Sequence, residues 1–277
     1  MATAGKAVGF VTVAGALLNQ WISAVGDLAI FAGDTCLWMI RRRPSRGVLL
    51  ANAYFVGVRS VPVVAITGMF IGMVLAVQSY RDFNRMGLAS RLGAIINISV
   101  VRELGPVLAA TMIAGRVGSA MAAELGTMRI TEQIEALVCL GANPLHYLVV
   151  PRLLACVFLT PLLTVIADIM GIWGGAFICL HVFQVEPHFY WLHSQEYVRM
   201  WDICNGLGKS MFFGAAIALI SCHRGLHCKP GAEGVGRAAT NAFVLSFIAI
   251  LALDFVLAML SNNLSTFFWP TKARKLI

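Results

Sequence analysis

Apolar residues in this chain come in runs too long for the core of a water-soluble domain. The runs cover residues 61–80, 92–121, 145–180, 203–222 and 240–260. About 20 consecutive apolar residues in a helix cross the hydrocarbon of a bilayer, so the pattern predicts five transmembrane helices. Gly105-Pro106 interrupts the second run. Pro106 removes a backbone donor and is expected to kink that helix. The third run is too long for one straight span. Pro151 falls near its start, Pro161 is expected to bend it, and its last part is expected to turn back or lie in the interface. Ahead of the first run, residues 7–40 are apolar but interrupted. Gln20, Ser23, Asp27 and Asp34 share one helical face, and Leu17, Leu18, Trp21, Val25, Leu28 and Phe31 fall on the other. A polar stripe with two aspartates does not suit lipid, so this segment reads as an amphipathic helix lying in the membrane interface.

Composition agrees with the pattern. The 277 residues are 59% hydrophobic and 12% charged, with a mean hydropathy of +0.80. Ordinary soluble domains are about 25% charged. The fold class is therefore an all-α integral membrane protein. The net charge of +8 belongs to loop residues that set orientation, not to a nucleic-acid surface. Arg41, Arg42, Arg43 and Arg46 form a cluster expected on the cytoplasmic side. That places the N-terminus inside and, after five spans, the C-terminus outside. Arg81, Arg85, Arg91, Lys272, Arg274 and Lys275 weigh against this orientation. The apolar start lacks a clean cleavage site and reads as retained, not as a signal peptide. Between the third and fourth runs, Tyr190, Trp191, Tyr197 and Trp201 suit an interfacial aromatic belt. Seven cysteines, among them Cys156 and Cys179 deep in an apolar run, do not suggest a disulfide framework.

The charges inside the apolar runs carry the chemistry. Arg102 and Glu103 lie in the second run and Lys209 near the start of the fourth. Ionisable residues at membrane depth are costly and usually face a bundle interior or a cavity. Adjacent helical positions point about 100° apart, so Arg102 and Glu103 need not pair with each other, and Lys209 is the expected partner of Glu103. These residues serve either a structural ion pair or a transport pathway. Asp168 and Asp254 sit in buried sequence contexts and read as structural carboxylates hydrogen-bonded to neighbouring helices.

Residues 124–140 have helical amphipathicity. Ile130, Ile134, Leu137 and Val138 form the apolar side, with Glu124, Arg129, Glu132, Gln133 and Glu135 as the polar complement. Gly141 and Asn143-Pro144 stop the helix. On periodicity alone this is a linker helix in the interface; the alternative is a coupling helix that docks on a motor. On the first span, Phe70, Met73, Val74, Val77 and Tyr80 share one face. Such a face serves either helix packing or an apolar ligand. Cys222, His223, His227 and Cys228 have metal-ligating atoms, but not the usual zinc spacing, so no metal is assigned. No cofactor is expected. There is no G-x-x-x-x-G-K-[ST] run, so the chain does not bind ATP through a P-loop and is not read as an enzyme.

Longer motifs give a family resemblance. Leu104-Gly-Pro-Val-Leu-Ala-Ala, then Ala114-Gly-Arg-Val-Gly-Ser-Ala-Met-Ala-Ala-Glu-Leu-Gly-Thr-Met-Arg-Ile-Thr-Glu-Gln-Ile-Glu-Ala-Leu, resembles the MlaE/YrbE permease family. Thr67-Gly-Met-Phe-Ile-Gly, Pro161-Leu-Leu-Thr-Val-Ile, Gly171-Ile-Trp-Gly-Gly, Lys209-Ser and Leu253-Asp-Phe-Val-Leu match in order. The resemblance covers roughly residues 45–262, leaving 1–44 as an N-terminal interfacial region and 263–277 as a tail. It implies a homodimeric permease in the inner membrane, an ABC ATPase dimer beneath it, a ring of MCE-domain subunits on the far side and a small STAS-type accessory subunit. The implied cargo is phospholipid moved between membranes. Residues 124–140 map onto the family's coupling helix, Phe70 to Tyr80 onto the helix lining its cavity, and the charged trio lies near the lipid pathway. The alternatives are a permease for another apolar cargo, such as a sterol, and a proton-driven secondary transporter using Glu103, Asp168 and Asp254.

Overall fold

The computed structural model describes residues 2–41, 45–87 and 91–268. It is all-helical there, with five helices long and apolar enough to cross a membrane: Arg46–Arg85, Leu92–Ile130, Leu145–Val182, Met200–Leu226 and Ala232–Asn263. Arg42, Arg43, Pro44 and the last nine positions lie outside the described residues, as do the side chains of Leu17, Leu18, Gln20 and Trp21.

The helices in chain order are α1 (Ala2–Arg41), α2 (Arg46–Val56), α3 (Val61–Arg85), α4 (Leu92–Ser99), α5 (Gly105–Ile113), α6 (Ser119–Ile130), α7 (Gln133–Cys139), α8 (Val150–Phe177), α9 (Pro187–Tyr197), α10 (Met200–Leu226) and α11 (Ala232–Phe268). The first span is longer than the apolar run. It begins at α2 and passes a break at Gly57 and the short 3₁₀ turn Val58–Ser60 before α3. The second span is α4, α5 and α6 joined by two π-helical turns, Val100–Leu104 and Ala114–Gly118. The third is α8 with π-helical turns Leu145–Val149 and Ile178–Val182 at its ends. Its last part does not turn back: the span stays helical to Val182. Helix α8 continues through Pro161 and Gly171 to Phe177, with its small residues seated on α3. The fifth span stays helical to Phe268, past the boundary at 262.

Small residues hold α3 against α8. Cβ atoms on Gly68 and Gly72 would run into the carbonyls of Ala167 and Gly171, and one on Gly174 into that of Met69. Gly68, Gly72 and Ala76 recur every four residues, as do Ala167, Gly171 and Gly175. In lipid no hydrophobic force drives helices together, so close backbone approach through small side chains supplies the contact. Corresponding contacts rise together along both helices, so the first and third spans run parallel. The main core lies where Ile113, Met121, Leu163, Phe213, Ile217 and Ile250 pack together.

The two ends of the bundle close differently. At the near end, Phe31 of α1 packs with Leu125, Ile134, Leu148, Val149 and Cys222. Helix α1 thus docks by Phe31 and Thr35, while Asp27 and Asp34 stay exposed. Val25, on the apolar face, is 63% exposed, so the protein seat of this helix is one narrow stripe rather than a whole face. At the far end, α9 covers α4. Tyr190 is fully buried against Gly93, and Ser194 Oγ accepts a hydrogen bond from Asn97 Nδ2 at 2.9 Å. Tyr190 is therefore a core residue and not part of an aromatic belt; Trp191, Tyr197 and Trp201 remain exposed.

Candidate functional site

The far half of the bundle holds an ion cluster assembled from three spans. Its seat is the π-helical turn Val100–Leu104, directly ahead of Gly105-Pro106. In an α-helix Pro106 would offer no N–H to the turn before it and its ring would press on that turn's carbonyl. A widened turn relieves the clash, which is how the expected disturbance at Pro106 is realised. Such π-bulges frequently mark functional sites. From this turn Glu103 Oε2 accepts a hydrogen bond from Lys209 Nζ at 2.6 Å, and Asp254 Oδ1 accepts another at 3.0 Å. Arg102 Nε lies 3.7 Å from Glu103 Oε1. Two cations and two carboxylates thus balance in charge. The Lys209 side chain is 1% exposed, whereas Glu103 is 39% and Asp254 22% exposed. The ammonium is sealed and its partners reach toward the outside.

Glu103 and Lys209 meet as the sequence suggested. Asp254 does hydrogen-bond to a neighbouring helix, as the second partner of Lys209, but it is half-buried where its sequence context suggested full burial. Its spacing to Lys209 across two helices leaves no periodic trace. Asp168 stays out of the cluster. It is buried against Gly105, where a Cβ would overlap its Oδ1, and that oxygen has no hydrogen-bond partner among the described residues.

An apolar groove lies on the exposed side of α3, lined by Phe70, Met73, Val74, Val77 and Gln78. Phe70, Val74 and Val77 are each more than half exposed. The glycine face of the same helix is locked to α8, so these side chains are held outward. Tyr80 does not join them. Its ring stacks on Phe183 with centroids 3.8 Å apart and belongs to the far-end core.

At the near end, residues 124–140 are not one helix. Helix α6 stops at Ile130, Glu132 takes a left-handed conformation with φ 59°, and α7 starts at Gln133. The reversal lets Ile134 reach the near-end core beside Leu125 and Phe31. Burial of that core outweighs the continuous helix that propensity favours. Glu124 consequently belongs to the second span. It pairs at 3.0 Å with Arg152, whose side chain is buried at the start of α8. Arg129 Nε lies 3.6 Å from Glu135 Oε1 across the turn. Glu132, Gln133 and Glu135 are exposed beside Val138, which is 56% exposed, and Leu140, which is 82% exposed. Of the apolar side read from the sequence, Ile134 enters the core while Val138 stays outward. Sequence reasoning did not single out Arg152. The signal was there: it is a lone charge in an apolar run, as Lys209 is.

The Cys222–Cys228 segment caps the fourth span. The His223 ring meets Phe31 edge-on at 5.3 Å and lies 4.4 Å from that of His227, while Cys228 Sγ donates to the Lys229 carbonyl. Cys222 is buried in the near-end core.

The chain matches the family Permease MlaE over residues 49–260. It is 39% identical over 241 residues to a probable ABC transporter permease protein of Rickettsia felis, covering 87% of this chain and 93% of that protein. It is 33% identical over 251 residues to the intermembrane phospholipid transport system permease protein MlaE of Haemophilus influenzae, covering 90% and 96%. The chloroplastic protein trigalactosyldiacylglycerol 1 of Arabidopsis thaliana is 36% identical over 232 residues, covering 84% of this chain and 66% of its own length. The matched stretch contains the glycine seam, the ion cluster and the turn at Glu132, and on these grounds the chain belongs to the MlaE permease family.

Proposed function

We propose that this chain is the permease subunit of an ABC transporter that moves phospholipid between membranes. It works as a homodimer in the inner membrane, with its N-terminus cytoplasmic and its C-terminus periplasmic. A separate ATPase docks at the near end, and an MCE-domain ring at the far end. A STAS-type accessory subunit completes the assembly. The observation that carries the reading is the groove of Phe70, Met73, Val74 and Val77, held outward by the glycine seam behind it. Acyl chains offer no hydrogen bonds, so a lipid site is mostly apolar. A symmetric dimer that places this face twice across its axis makes a slot wide enough for two chains. The relative named as an intermembrane phospholipid transport permease supports the choice of cargo. Arg102, Glu103, Lys209 and Asp254 act as the gate, because a sealed cation with half-exposed partners is disturbed when the spans shift.

Photo-crosslinking tests the groove. A photoreactive residue at Val77 is expected to retain phospholipid after detergent exchange strips the annular shell, whereas one at Val244, on the exposed side of α11, is not. Equal retention at both positions sinks the groove assignment.

The near end carries the coupling role. Glu132, Gln133 and Glu135 surround exposed Val138 and Leu140, a polar rim around an apolar contact of the kind protein interfaces use. Glu132→Lys keeps a side chain at the left-handed position and changes only the charge. It is expected to leave the permease folded while lowering co-purified ATPase and transport several-fold. Glu132→Gly, which relieves the backbone but also removes the carboxylate, is expected to lower both as well. Unchanged ATPase yield and transport in Glu132→Lys remove the docking claim.

A further inference from the structure

The second π-helical turn of span two carries a second charge, Arg116. Unlike Arg102 it has no carboxylate within ion-pair distance among the described residues. Its Nη1 donates to Ser60 Oγ at 2.7 Å and, weakly, to the Phe55 carbonyl at 3.5 Å. The guanidinium carbon sits 5.7 Å from the centre of the Phe55 ring. Ser60 is itself 2% exposed, while Arg116 is half-buried. Every partner of this cation is neutral, and one side of it remains open.

Depth follows from the helices. Ser60 lies fourteen residues from the Arg46 start of the first span, and Arg116 lies fourteen from the Ile130 end of the second. Both are about 21 Å from the near end at 1.5 Å per residue. These spans are about 60 Å long and the hydrocarbon about 30 Å thick, so centring them puts Arg116 about 6 Å inside the near boundary. The Glu103 cluster lies about 20 Å further along the second span.

We infer that Arg116, held by Ser60 at the break in the first span, is a binding site for the phosphate of a lipid headgroup from the near leaflet. An arginine at this depth is expensive without an anion. A guanidinium has five donors in a planar fork that matches phosphate oxygens, and the bonds to Ser60 and Phe55 use one nitrogen. The anion available at the edge of the hydrocarbon is the phosphodiester of a phospholipid. The Ser60 hydroxyl and the Phe55 ring fix the guanidinium and leave the rest of its fork for that ligand. Two π-helical turns in one span thus present two charged stations, a closed one toward the far side and an open one toward the near side. This site is separate from the α3 groove and is read by binding, not by transport.

The test uses the permease purified with its partner chains in mild detergent. Native mass spectrometry counts bound dioctanoyl phosphatidylglycerol, with dioctanoylglycerol as the phosphate-free probe and inorganic phosphate as competitor. Arg116→Gln is expected to weaken phosphatidylglycerol binding about tenfold, a loss of about 1.4 kcal/mol, and to leave dioctanoylglycerol binding unchanged. Arg116→Lys keeps the charge but loses the fork and is expected to fall between. Equal phosphatidylglycerol binding in wild type and a folded Arg116→Gln overturns the inference, as does displacement of the lipid by inorganic phosphate, which identifies a free-anion site. Should Arg116→Gln not fold, a photoreactive residue at Val63, which is 40% exposed one turn beyond Ser60, decides with Arg116 intact. Preferential capture of phosphatidylglycerol over dioctanoylglycerol supports the site, and equal capture overturns it.

Discussion

Lys209→Ala is expected to abolish transport and to lower the thermal midpoint of the purified permease sharply. The ammonium is 1% exposed and lies within 3.0 Å of both Glu103 and Asp254. Removing one partner of a buried pair typically costs ~3–5 kcal/mol, chiefly because the other charge is stranded. Here two carboxylates lose their shared cation at once and face each other across a low-dielectric gap. Arg102, 3.7 Å from Glu103, moderates the loss, so the lower part of that range is the expectation. Glu103→Ala is expected to be milder, because Lys209 keeps Asp254. The double variant Glu103→Ala with Lys209→Ala should be less destabilised than the sum of the two. Thermal unfolding in one detergent measures all four corners of the cycle. Strict additivity would show that the distance of 2.6 Å carries no coupling, and the gate would lose its physical basis.

The largest packing effect is expected at Gly72. A Cβ there would overlap the carbonyl of Gly171, a backbone atom that cannot rotate away. Gly72→Ala therefore forces α3 and α8 apart along the whole seam, and overpacking of this kind costs ~1–3 kcal/mol or more. Gly72→Val adds a branched side chain at the same point and is expected not to yield folded protein. Gly236→Ala serves as the control. Nothing lies within 4 Å of its added Cβ, and alanine in a helix is favoured over glycine by roughly 0.5–1 kcal/mol. The expected order of midpoints is Gly236→Ala at or above wild type, then Gly72→Ala well below. If Gly72→Ala matches wild type, the seam is not what holds the groove of Phe70 and Val77 outward.

Much of the architecture was legible without coordinates, and the reason differs by element. Five apolar runs each had to become a helix, because backbone polar groups in hydrocarbon have no other partner. The near-end cluster is a different case. Nothing in Thr131-Glu132 is a helix breaker, so local pattern predicts a helix through residues 124–140. The chain breaks there because Ile134 gains a place beside Leu125 and Phe31. Tyr190 was misplaced for a similar reason. An aromatic residue between two spans suits the interface, until a glycine at position 93 opens a slot that its ring fills.

The candidate site divides the same way. A lone charge in an apolar run marks itself, so Arg102, Glu103 and Lys209 stand out from the sequence. Pairing does not, because it depends on which helices adjoin and how each is turned. Asp254 became a partner of Lys209 only through the packing of α10 on α11, and Tyr80 left the groove only because Phe183 stacks on it. Arg116 also lies in an apolar run but was not singled out, since the break at Gly57 and Ser60 that receives it carries no periodic signature. The sequence by itself determined the solvent of this protein, the number of its spans and the family to which they belong, because hydropathy and motif spacing are properties of the chain. The rotation of each span, and with it the ion cluster, the open face of α3 and the turn at Glu132, was decided by tertiary contacts. Those contacts form between residues far apart in sequence, where close packing of glycines and pairing of charges select one arrangement.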